Sequence, residues 1–70
     1  QIFAYQRRLD GERIAVIVNL SPLPARFDHP GVVLRHERLL LANRAVEAHP
    51  AAHALELAPY EARVYRVGKM

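Results

Sequence analysis

An all-β domain is the fold class this sequence predicts, and three stretches predict it. Asp10-Gly11 separates two strand-like runs, Ile14-Ala15-Val16-Ile17-Val18 is continuously apolar, and Pro59 stands just before a last extended run. Glycine tolerates the positive φ of a two-residue hairpin turn. A short unbroken apolar run suits a central strand covered on both faces. Proline cannot donate to a ladder, so it marks the point where a strand has yet to begin.

The elements follow in order. Ile2 to Leu9 opens with aromatic and β-branched residues and reads as a strand, and Glu12 to Leu20 reads as its hairpin partner. Asn19-Leu20-Ser21-Pro22-Leu23-Pro24 is a turn, because Asn and Ser side chains bond nearby backbone and the prolines cannot pair. Ala25 to Asp28 is a short edge strand ended by His29-Pro30-Gly31. The middle is ambiguous: Arg35 to His49 is rich in Leu, Ala, Glu and Arg, and propensity alone favours a helix ended by Pro50. Against the helix, Asn43 interrupts the run and Leu39-Leu40-Leu41 suits a buried strand equally well. From His53 to Leu57 the pattern alternates, with Leu55 and Leu57 on one face. In the last run Ala62 and Val64 share one face, and Arg63, Tyr65 and Val67 share the other.

Composition narrows the function classes. Hydrophobic residues make up 51% of the 70, which argues against disorder, although much of that fraction is Ala. So short a chain lies near the lower limit for a self-sufficient core, and without cysteine it has neither disulfides nor thiolate metal sites to supplement one. Docking on a larger domain is an economical solution. No apolar run approaches the roughly 20 residues that cross a bilayer, and no signal-peptide layout opens the chain. A cytoplasmic location without membrane contact is therefore expected. The chain begins with Gln1 rather than Met, so residues 1–70 are expected to be a single accessory β-domain, a piece of a longer polypeptide. The net charge of +3 is dispersed, with only Arg7-Arg8 adjacent and five glutamates interrupting the basic stretches. Nucleic-acid binders concentrate positive charge on one face, so a solvated surface is the better reading.

Reaction chemistry is hard to find. His49 and His53 have the spacing of two ligands on one helical turn, but Pro50 lies between them and no Glu completes a metalloprotease-like set. All four histidines are read as surface or loop residues. The one serine, Ser21, lacks the glycines of a nucleophile elbow and is read as a turn cap. Asn19-Leu20-Ser21 formally matches a glycosylation acceptor but carries no information beside Pro22. Paired carboxylates could cleave a glycosidic bond, yet the seven acids are scattered, and Glu61 is expected on the open face of the last strand. Gly11, Gly31 and Gly68 are isolated, so there is no phosphate loop. Phe3, Tyr5, Phe27, Tyr60 and Tyr65 could stack on sugars or bases, but in so small a domain they are read as core or docking residues. No catalytic, metal-binding or cofactor-binding residue is assigned, and no cofactor is expected.

The pieces together resemble a known domain. Phe3-Ala4-Tyr5 with Arg7-Arg8, the turn Asp10-Gly11-Glu12-Arg13, and Ile14-Ala15-Val16-Ile17-Val18-Asn19-Leu20-Ser21 look like its first hairpin. Leu39-Leu40-Leu41-Ala42-Asn43 is similar to its Leu-Leu-Leu-Ser-Asn strand, with Ala42 where Ser is common, and Pro59-Tyr60-Glu61-Ala62-Arg63-Val64-Tyr65 resembles its final strand. The domain is the C-terminal β-domain of the α-amylase family of glycoside hydrolases, with the nearest likeness to the α-glucosidase and oligo-1,6-glucosidase branch. This resemblance implies a small antiparallel β-sandwich, Greek-key-like, of about six strands. It also implies a strand from about Glu37 to Ala42 in place of the helix. Its implied partner is a catalytic (β/α)8 barrel of the same protein that carries all the catalytic carboxylates, so the domain would cap and stabilise an enzyme acting on α-glucosidic bonds of oligosaccharides. Two other classes stay open: a carbohydrate-binding module using exposed aromatics, and a basic nucleic-acid-binding β domain.

Overall fold

Strands β1 (Ile2–Leu9) and β2 (Glu12–Asn19) form an antiparallel hairpin closed by Asp10 and Gly11. Both turn residues have positive φ, 53° and 78°, as a type I′ turn requires, and this turn matches the right-handed twist of the strands it joins. The computed structural model describes residues 1–69. After the hairpin the chain crosses to β3 (Ala25–Asp28) and then makes a single 3-10 turn (His36–Arg38). It continues into β4 (Leu39–Ala42), β5 (Ala54–Leu57) and β6 (Ala62–Lys69).

Two sheets result, one ordered β1-β2-β6-β4 and the other pairing β3 with β5, with every pairing antiparallel. From β2 onward each successive strand changes sheet, and β6 closes the first sheet by inserting between β2 and β4. The described residues thus build a small sandwich of six strands with Greek-key-like crossovers. Its core lies between the sheets. Ala15, Ile17 and Tyr65 from the large sheet cluster with Phe27, Leu55 and Leu57 from the small one, and Val32 and Leu34 close the gap from the connecting segment. Leu34 is fully buried and exchanges two backbone hydrogen bonds with Ala52, pinning the two crossover segments together.

Asn19 and Ser21 behave as their turn chemistry demands. The Asn19 amide donates to the Leu23 and Ala58 carbonyls at 2.8 and 3.0 Å, and its oxygen accepts from the Ser21 N–H. The Ser21 hydroxyl accepts from Leu23 N–H. Asn19 is completely buried, so its side chain is a fastener between the β2 exit and the β6 entrance.

The helix favoured by local propensity over Arg35–His49 does not form. That stretch holds one 3-10 turn, then β4, then irregular chain from 43 to 53. Sheet packing overrides propensity here because the far edge of β6 offers ladder partners, and Leu39 in that register packs against the core. Asn43 then stops the strand: its side chain donates to Tyr60 O at 2.9 Å and accepts from Ala62 N–H at 3.0 Å. The strand expected from about Glu37 starts two residues later, since His36–Arg38 is wound into the turn.

Candidate functional site

The large sheet has two faces, and only one is covered. Register places Phe3 beside Val18 and Ala62 in one cross-strand row, and Tyr5 beside Val16, Val64 and Leu41 in the next. These rows lie on the face opposite the buried Ala15, Ile17 and Tyr65. Phe3, Tyr5 and Leu41 remain 54%, 45% and 68% exposed, while Val16, Val18 and Val64 are half-buried only by their neighbours. A shallow groove of about 240 Å³ runs between β4 and β6, lined by Leu41, Ala42, Asn43, Ala62 and Val64. The run Ile14–Val18 predicted a strand covered on both sides. The small sheet covers one, and nothing in the described residues covers the other. The patch spans all four strands of the sheet.

The inner face of β6 holds a different arrangement. Glu61 was expected on an open strand face, but it is 4% exposed. One of its oxygens accepts from Ala58 N–H at 2.8 Å, and the other takes Arg63 Nε at 2.9 Å. Arg63 Nη1 donates to the Tyr65 hydroxyl at 2.9 Å, which lies 2.8 Å from His49 Nε2. The other ring nitrogen of His49 is 2.8 Å from the Pro50 carbonyl, which can only accept. In the neutral imidazole this geometry puts the proton on Nδ1, Nε2 accepts from the Tyr65 hydroxyl, and the chain of donors runs in one direction from Arg63 to Pro50. Desolvation acts to lower the Arg63 pKa, but its bonds to Tyr65 and Glu61 outweigh this and leave it raised. Because the folded value is raised, the charge contributes stability at every pH below the ordinary arginine value. That contribution is lost only in strong alkali.

The network has the character of a brace. It ties the Ala58–Glu61 turn, β6 and the irregular segment 44–50 together, and beneath that segment it floors a groove of about 590 Å³. The turn itself has Pro59 in second place and Tyr60 in third with φ 57°, closed by Glu61 N–H to Ala58 O. Three acids, Glu47, Glu56 and Glu61, line that groove; Glu61 is engaged by its own turn and strand, and Glu56 pairs with Arg26.

The remaining candidates do not converge. His53 pairs with Asp28 at 3.0 Å, while His49 faces Tyr65 and meets the His36 ring edge-on, so the two histidines of ligand spacing serve different partners. Among the described residues no three potential metal ligands come together, and no helix is long and apolar enough to cross a membrane. Phe27 and Tyr65 belong to the core, whereas Phe3, Tyr5 and Tyr60 are exposed. The Phe3 and Tyr5 rings are 5.7 Å apart but tilted by 60°, which does not make one flat platform for a sugar ring. Buried Asn19, with its amide doubly engaged, is no acceptor for a glycan in the folded chain.

Residues 1–64 match the family described as maltogenic amylase, C-terminal domain. The chain belongs to that family. This C-terminal domain is 40% identical over 65 residues to the probable oligo-1,6-glucosidase 3 of Bacillus subtilis (strain 168), covering 93% of the chain and 12% of that protein. It is 39% identical over 66 residues to the oligo-1,6-glucosidase of Halalkalibacterium halodurans, with the same coverage. Among solved structures, it resembles isomaltulose synthase (PalI) from Klebsiella sp. LX3 with a TM-score of 0.78 and 30% identity, over 96% of this chain and 12% of that one. Trehalulose synthase MutB from Pseudomonas mesoacidophila MX-45 gives 0.77 and 29%, over 94% and 12%. The chain thus spans about an eighth of the length of these relatives, so in them the equivalent domain sits in one polypeptide with much more protein. The likeness to the α-amylase-family C-terminal β-domain drawn from the four sequence stretches is the same family.

Proposed function

We propose that this is a noncatalytic domain that packs through the outer face of its large sheet onto the catalytic (β/α)8 barrel of its parent protein, and that it stabilises that barrel. The parent would be a glycoside hydrolase acting on α-glucosidic bonds of oligosaccharides, as the names of the oligo-1,6-glucosidase relatives suggest. The observation that carries the reading is the uncovered apolar face on a chain only 12% as long as its relatives. Phe3, Tyr5 and Leu41 are already partly covered, so each gains about 1 kcal/mol or more if fully buried, and the other seven-eighths of a polypeptide as long as the relatives is what can bury them. A single domain and a cytoplasmic location belong to the same reading.

Hydroxyl-radical footprinting of the full-length protein tests it. After correction for intrinsic reactivity, Phe3, Tyr5 and Leu41 should be labelled several-fold more slowly than Leu23, a 67% exposed residue of the β2–β3 turn. Equal labelling of the face and Leu23 would sink the proposal.

A further inference from the structure

The third cross-strand row of the large sheet is charged, and it leads to the end of the hairpin. Arg7 and Arg66 flank Ile14 there, on the apolar face, with Arg66 Nε 2.6 Å from Glu12 Oε1 in an ion pair whose angles are not those of a hydrogen bond. One residue further along, on the inner face, Arg8 stands directly opposite Arg13. Like charges in directly opposed positions repel. The Arg13 Nε is buried without an acceptor, and its Nη1 reaches only the Gln6 side-chain oxygen at 3.4 Å. Among the described residues, ion pairs are made by Arg26, His53, Arg63 and Arg66, and Arg7, Arg8 and Arg13 make none. The same side chains with Gln6 line a cleft of about 200 Å³. The eight-residue hairpin strands overhang the four-residue strands of the small sheet, so among the described residues the small sheet does not close over that end.

Two unfavourable features, the opposed arginines and the unsatisfied Nε, have one remedy. A carboxylate in the cleft accepts from both guanidinium groups and neutralises the repulsion between them, in the bidentate geometry arginine favours. We propose that the cleft between Arg8 and Arg13 is an anchor for an Asp or Glu side chain from the rest of the same polypeptide. This rests on the docking reading, because Arg7, which also lines the cleft, stands in the row next to Tyr5 and Val16 on the apolar face. It adds a polar fixed point that sets the orientation of a contact which apolar burial alone leaves free to slide.

The test uses the full-length protein carrying Arg8→Lys or Arg13→Lys, each of which keeps the charge. Lys69 is the one natural lysine of this domain, so an amine at position 8 or 13 gives a clean signal in zero-length carbodiimide cross-linking read by peptide mass spectrometry. The expected result is an amide joining that position to an Asp or Glu outside residues 1–70, reduced at least several-fold when the labelled carboxylate is changed to its amide. Links only to Asp10 or Glu12, links between two molecules, or no link would overturn the anchor. If Phe3 and Tyr5 are shielded in the same sample, the docking reading survives that failure; if they are labelled freely, it falls too.

Discussion

Glu61, Arg63 and Tyr65 alternate with Ala62 and Val64, and in an ordinary strand the polar set would face water. Here it faces inward. Each member is satisfied: Glu61 by Ala58 N–H and Arg63, Arg63 by Tyr65, and Tyr65 by His49. A buried ion pair of this kind is costly to break on one side, since the survivor keeps its charge without a partner. Glu61→Ala should therefore destabilise the protein by about 3–5 kcal/mol, measured by urea unfolding of the chain that carries it. The double change Glu61→Leu with Arg63→Leu should cost less than the single one, and a larger loss in the double variant would contradict this account. The alternation of the side chains was legible in the sequence. Their direction was not, because partners such as His49 lie 16 residues away along the chain.

Strands and turns whose reasons are local match their sequence. The Asp10-Gly11 turn, the Asn19–Ser21 exit from β2 and the pairing of Leu55 with Leu57 on one face all follow from residue types within a few positions. Asn19 makes the strongest case for a side chain that holds elements together, since its amide reaches both Leu23 and Ala58. Asn19→Ala should cost about 2 kcal/mol, because two carbonyls and one N–H lose their partner at the seam between β2 and β6. Asn19→Asp should cost more, because it sets a carboxylate oxygen against two carbonyl oxygens; denaturant midpoints of the three chains would show the order. At β4 local logic fails. Leu, Ala, Glu and Arg favour a helix over 35–49, and only the open edge of β6 and the lock from Asn43 to Ala62 turn four of those residues into a strand.

At the scale of the whole molecule, the sandwich has one face too many. The small sheet has two four-residue strands and covers the inner side of the large one, while the outer side carries Phe3, Tyr5, Val16, Val18, Val64 and Leu41 without cover. If the parent protein supplies that cover, a charge placed there acts on the parent and leaves the domain itself intact. Tyr5→Asp should lower the thermal midpoint of the full-length protein by about 2 °C or more, with activity at low temperature unchanged. Leu23→Asp, at an equally exposed position away from the face, should leave the midpoint where it was. Equal effects from the two substitutions would mean that the face has no special role.

The amino-acid sequence by itself determined the β class, the first hairpin and its turn, and the family. Each of these rests on residue types at short spacing, or on four stretches in a fixed order. Tertiary structure decided which side of each strand is interior, whether the leucine-rich middle became helix or strand, and that Glu61 and Arg63 are buried. It also showed that the described residues cover the apolar run Ile14–Val18 on one side only. Those outcomes depend on what lies across the sheet or between the sheets, and residues far apart in the chain meet there for reasons that no local pattern encodes.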